Sequence, residues 1–96
     1  MTGKPGDTDR ETVTRDWRAR GFSCDIWSDP PGQVWADFVH ASDELVMLID
    51  GEIELHFGGQ CLRPAVGEEI LIPAGEAHTV INIGHSRNHW YYGYRH

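Results

Sequence analysis

From Phe22 onward, apolar residues fall into short runs that either alternate with polar ones or are cut off by turn residues. The runs read FSCDIW, QVWADFVH, ELVMLI, EIELHF, QCLRP, EEILIP, HTVINI and HWYYGYR, with DPPG, ASD, DG, GG, AG and GHSRN between them. Runs of this length bounded by Gly, Pro, Asp and Asn predict strands, and about eight of them without an intervening helix predict an all-β sandwich or barrel. Asp50-Gly51 and Gly58-Gly59 have the composition of two-residue hairpin loops with positive φ, so the three runs they join are expected to pair antiparallel in sequence. Ahead of the strands, residues 1–15 are polar, with Gly3, Pro5 and Gly6 near the front. They predict a mobile arm, within which Thr8-x-x-Glu11 matches a capping box that would start a short helix carrying Val13 and Trp17. The expected organisation is an arm over 1–15 and one domain over 16–96.

Period-two alternation assigns faces to the strands. In QVWADFVH, Phe38 and His40 share one side while Trp35, Asp37 and Val39 take the other. In EIELHF, Ile53, Leu55 and Phe57 form the core side, and Glu52, Glu54 and His56 the solvated side. His78 and Val80 point one way, Thr79 and Ile81 the other, so a histidine shares its face with an apolar residue. The last run holds Trp90, Tyr91, Tyr92 and Tyr94, and alternation leaves open whether His89, Trp90, Tyr92 or Tyr94 lines a pocket mouth.

The charge narrows the choice of partners. The formal net charge is -7. Residues 1–20 carry five basic and four acidic side chains, which leaves three basic and eleven acidic for residues 21–96. A body this acidic repels phosphate backbones, which excludes nucleic acid as an expected partner. No apolar run has the length of a signal core or a membrane span, so a soluble cytoplasmic protein is expected. Cys24 and Cys61 have no CxxC spacing, and the expectation is two free thiols.

If the strands wrap a common interior, His40, Glu44 and His78 converge there beside Phe38. Two neutral imidazoles and one carboxylate suit a divalent transition metal and leave coordination positions open. The spacing matches a known pattern. The chain resembles the cupins, small double-stranded β-helix or jelly-roll barrels of the conserved-barrel type, defined by the motifs G(X)5HXH(X)3-4E(X)6G and G(X)5PXG(X)2H(X)3N. The second is met by Gly67, Pro73, Gly75, His78 and Asn82, the first by Gly32, His40, Glu44 and Gly51 with Phe38 at its first histidine. Nine of the ten defining positions are therefore present, in order, between residues 32 and 82.

The resemblance implies a site for one metal, Fe, Mn, Ni or Zn, held by His40, Glu44 and His78, with the fourth ligand replaced by carbon at Phe38. It also implies that Asn82 is structural. A homodimer is expected from the aromatic last run, since exposed aromatics on a small barrel tend to be covered by a second copy. Two functional readings follow. One is a metal-dependent enzyme of dioxygenase or isomerase type acting on a small organic molecule; the other is a non-catalytic small-molecule-binding or sensing barrel in which a metal is absent or structural.

Overall fold

The computed structural model describes residues 8–96. Helix α1 (Arg10–Ala19) precedes eight strands, β1 (Asp25–Asp29), β2 (Val34–Phe38), β3 (Glu44–Asp50), β4 (Glu54–Phe57), β5 (Gln60–Leu62), β6 (Glu69–Ile72), β7 (His78–Ile81) and β8 (Asn88–Tyr94). They form two antiparallel four-stranded sheets ordered β1-β8-β3-β6 and β2-β7-β4-β5. The strand count pointed to a sandwich or barrel, and this is the jelly-roll arrangement that the motif resemblance implied.

The helix falls where an arm was expected. Residues 1–7 of that arm lie outside the described residues, but residues 10–15 are helical. The cap is Asp9, not Thr8: its carboxylate accepts from the Thr12 N–H at 3.0 Å and the Thr12 hydroxyl at 2.9 Å. A side-chain oxygen at that position satisfies donors the first turn leaves unpaired. Glu11 instead pairs with Arg15 one turn on. Val13 and Trp17, four apart and hence on one face, are buried against Phe22, Cys24, Leu45, Met47 and Tyr91. The polarity of the segment reflects the solvated face of an amphipathic helix, and its few apolar positions were too sparse to outweigh it.

Strand β3 explains why the run ELVMLI has no polar positions after its first residue. Leu45 and Met47 point out under the helix, whereas Val46 and Leu48 point in toward Ile53, Leu55, Ile72, Val80 and Trp90 from both sheets. A strand covered on both faces reads as a continuous apolar run.

Of the two expected hairpins, one forms. Gly58 and Gly59 adopt φ of 59° and 74° and join β4 to β5, setting Leu55 opposite Leu62 and His56 opposite Cys61. Asp50-Gly51 turns a corner between sheets instead. Both edges of β3 are already taken, by β6 and β8, so β4 has no place beside it. Gly51 has φ 82°, and a Cβ there would sit 2.9 Å from the Asn88 Cβ, so this corner needs glycine both for conformation and for space.

Asn82 holds the crossing loops together. It is buried, donates to the carbonyls of Asp29 and Ser86, and accepts from the Gly84 N–H. All three contacts are to backbone, the role of a structural amide.

Candidate metal centre

His40, Glu44 and His78 come from three different parts of the chain. Glu44 opens β3 and His78 opens β7, while His40 lies in the loop between β2 and β3. The loop is pinned by a bond from the Gly75 N–H to the His40 carbonyl at 2.8 Å. Gly75, at φ 78°, belongs to the turn that starts at Pro73 and delivers His78. Asp43 ties the same corner, accepting from the Ala74 N–H and from Arg95. The short loop thus sets His40 next to the turn that carries its partner.

The donor atoms of the three residues lie within 4.8 Å of one another. His78 Nε2 is 3.2 Å and His40 Nε2 is 3.6 Å from Glu44 Oε1. Glu44 and His78 are both 4 % exposed, and His40 is half-buried. Despite these distances, Glu44 Oε1 makes no hydrogen bond of acceptable geometry among the described residues. His78 Nδ1 faces the Glu76 carbonyl at 3.3 Å, so in the neutral ring with its proton on that nitrogen the Nε2 lone pair turns toward Glu44. A lone pair then faces a carboxylate oxygen, an arrangement that a proton or a metal cation between them would relieve. The Glu44 carboxylate accordingly pushes the His78 pKa up, against desolvation, which pulls it down.

Tyr94 joins the group. Its hydroxyl is 3.3 Å from His40 Nε2, and burial, followed by the Glu44 charge, pushes its pKa up to about 12. It is a protonated donor at neutral pH.

Above these groups is a cavity of about 230 Å³ walled by Trp27, Trp35, Phe38, Val80, Trp90, Tyr92 and Tyr94. Alternation set Trp35 and Phe38 on opposite faces; both line this one cavity. The cause is a bulge: three steps along β2, from Trp35 to Phe38, match two along β7, from Val80 to His78. Asp37 sits in the bulge with φ 56°, its N–H bonded to the Thr79 hydroxyl. Asp29, buried below, accepts from the indole N–H groups of both Trp27 and Trp35, at 2.9 and 3.0 Å, and so fixes the two rings. A buried carboxylate serving tryptophans from two strands in different sheets has no local signature, and sequence reasoning missed Trp27 and Asp29 for that reason.

Phe38, where the first motif has a histidine, is 40 % exposed and packs its ring 6.2 Å from His40, nearly parallel to it, and 6.3 Å from His78. It is a wall of the cavity mouth. Trp90, Tyr92 and Tyr94 turn inward, whereas Tyr91 turns out to meet Trp17. His89 pairs with Asp50 at the surface and does not reach the cavity. His56 is exposed on the opposite face of its sheet.

Residues 25–93 match the model of the cupin domain family. The chain belongs to the cupins. No curated protein matches it. Among solved structures it is similar to a conserved protein of unknown function from Streptococcus pyogenes, with 20 % identity over 78 % of this chain and 64 % of that one, TM-score 0.69. It is also similar to the protein TT1209 from Thermus thermophilus, with 26 % identity over 77 % and 72 % of the two chains, TM-score 0.69. A third is described as a predicted oxalate decarboxylase from Thermotoga maritima, with 18 % identity over 84 % and 72 %, TM-score 0.71. The chain thus spans just under two thirds of the first of these proteins.

Proposed function

We propose that this cupin binds one divalent transition metal through His40, Glu44 and His78 and presents it to a small organic molecule lodged in the aromatic cavity. The observation that supports this most is the buried Glu44 Oε1, unbonded and faced by two imidazole nitrogens. Two histidines and one carboxylate suit Fe, Mn, Ni or Zn, and three protein ligands leave positions for an exogenous oxygen donor. When bound, the metal supplies Lewis acidity to such a donor.

The chain's own residues do the rest. The indole and phenol walls exclude water and favour a flat or aliphatic molecule, and Asp29 keeps Trp27 and Trp35 in place. Tyr94 offers an O–H beside His40 to a polar group on the ligand. In an enzymatic reading that hydroxyl also holds a proton near the reacting group. The second reading, a binding or sensing barrel, is favoured by Phe38, since carbon in a ligand position leaves the metal fewer protein anchors and narrows the mouth.

Elemental analysis of untagged protein tests the proposal. In Cys61→Ser protein, which lacks the exposed thiol, we expect about one metal per chain after exposure to Fe, Mn, Ni or Zn, and less than a tenth of that when His78→Ala is added. Near-zero loading of the Cys61→Ser protein overturns the metal reading, and equal loading with His78→Ala added removes His78 from the site.

A further inference from the structure

We propose that the outer face of the β4–β5 hairpin carries a second metal site, formed by Glu54, His56 and Cys61 and suited to Zn²⁺ or a comparably thiophilic divalent ion. It is independent of the barrel site. Register decides its geometry: His56 is directly opposite Cys61, and Glu54 lies two residues before His56 on the same face. One carboxylate oxygen, one imidazole nitrogen and one sulfur fall within 4.8 Å of one another. His56 Nε2 is 2.6 Å from Glu54 Oε1 and 3.6 Å from Cys61 Sγ. Sulfur, nitrogen and oxygen in a group of three, with the fourth position open to water, are the donors that tetrahedral zinc accepts.

The frame that holds these donors is anchored to the core. On the opposite face of the same two strands, Leu55 is fully buried, and Phe57 and Leu62 pack against the core. The Gly58-Gly59 turn closes the hairpin on the side nearest Cys61. Arg63 donates its Nε–H to Glu54 Oε2 at 2.9 Å, which leaves Oε1 turned toward His56. An outer partner of this kind orients a ligating carboxylate. His56 and Cys61 are exposed, so an ion has direct access from solvent. Both cysteines are free, and Cys24 is buried under the helix and out of competition. Binding forms metal–sulfur and metal–nitrogen bonds as the Cys61 thiol proton leaves to solvent and the proton shared between His56 Nε2 and Glu54 Oε1 gives way to the ion, leaving the ring proton on Nδ1, with no change in oxidation state.

Cobalt(II) is the probe that separates the two sites, because the barrel cluster contains no sulfur. Titrating the unaltered protein with Co²⁺ under reducing conditions should produce a near-ultraviolet thiolate-to-cobalt charge-transfer band with the intensity of one thiolate-bound ion per chain, and Zn²⁺ should bleach it. Cys61→Ser should abolish the band, and His56→Ala should weaken the affinity at least about tenfold. Cys24→Ser and His78→Ala should leave the band unchanged. Absence of the band, its survival in Cys61→Ser, unchanged affinity in His56→Ala, or the intensity of one thiolate-bound ion per two chains overturns the proposal. None of these outcomes bears on metal content at His78, so the two readings fail separately.

Discussion

The two apolar clusters on either side of β3 use similar side chains and close differently. The outer cluster, with Leu45, Met47 and Tyr91, is sealed by helix α1: Trp17 is wholly buried, and its indole N–H reaches Glu69. The inner cluster, with Val46, Leu48, Leu55 and Val80, is left open at the end where Trp35, Phe38, Tyr92 and Tyr94 surround a cavity over two imidazoles and a carboxylate. A closed cluster can only contribute stability. An open one gives up some packing and gains a place where polar donors are desolvated without being bonded, which is the condition for strong ligand binding. The division predicts that changes in the outer cluster move stability and leave ligand binding alone, and that changes at the inner end do the reverse.

The largest expected effect lies in the outer cluster. Trp17→Ala removes a fully buried indole and should lower the unfolding free energy by about 3–5 kcal/mol in a denaturant titration. Metal bound per folded chain should not change. A loss below about 1 kcal/mol would mean that the helix does not seal this core.

The inner end should respond in the opposite sense. Glu44→Gln keeps shape and volume but removes the charge, and its amide can donate to the His78 Nε2 lone pair. Metal affinity should fall by more than about 100-fold, the upper range for an outer partner, because a ligand itself is lost. Stability of the metal-free protein should stay within about 1 kcal/mol or rise, since a buried carboxylate with one oxygen lacking a hydrogen bond disappears. Calorimetric unfolding of metal-free protein, set beside metal titration, checks both. A large loss of metal-free stability would show that Glu44 is part of the packing and not spared for a ligand.

The smallest effect concerns the polar lock on the helix. Arg20 clasps both oxygens of Glu69, at 2.8 and 2.7 Å, and Trp17 donates to one of them. Arg20, with a lesser contribution from Trp17, holds the Glu69 carboxyl below its ordinary 4.5. A lowered carboxyl pKa contributes stability that is complete above the unfolded value and is lost as pH falls through the folded one. Stability should therefore decline below about pH 4.5 in the unaltered protein. Glu69→Gln should cost about 1 kcal/mol at neutral pH, a figure discounted for the partial exposure of Arg20, and should flatten that acidic decline. An acid limb of unchanged slope would assign it to other carboxylates.

Much of the barrel was legible in the chain because its signals are local. Short alternating runs, paired glycines at Gly58-Gly59, and the spacing of Pro73, Gly75 and His78 each reflect the conformation of a few consecutive residues. His78 and Val80 sharing an inward face, and Ile53 and Leu55 facing the core, follow from the same period-two geometry. The motif spacing also brought His40, Glu44 and His78 into one group, which the fold places within 4.8 Å. Pairing between strands distant in the chain lay beyond that reach. Nothing in Asp50-Gly51 says that both edges of β3 are occupied by β6 and β8, and the turn becomes a corner for that reason alone. The bulge at Asp37 depends on how β2 meets β7, and it carries Trp35 to the face of Phe38 against the alternation. Trp17 is buried because Tyr91, Leu45 and Phe22 wait beneath it from distant positions. The chain itself determined its strands, its turns and the donors available for a metal. Tertiary pairing decided which apolar surfaces were sealed, which aromatic rings turned toward the cavity, and that Glu44 lies buried with no hydrogen bond on the oxygen that faces the two histidines.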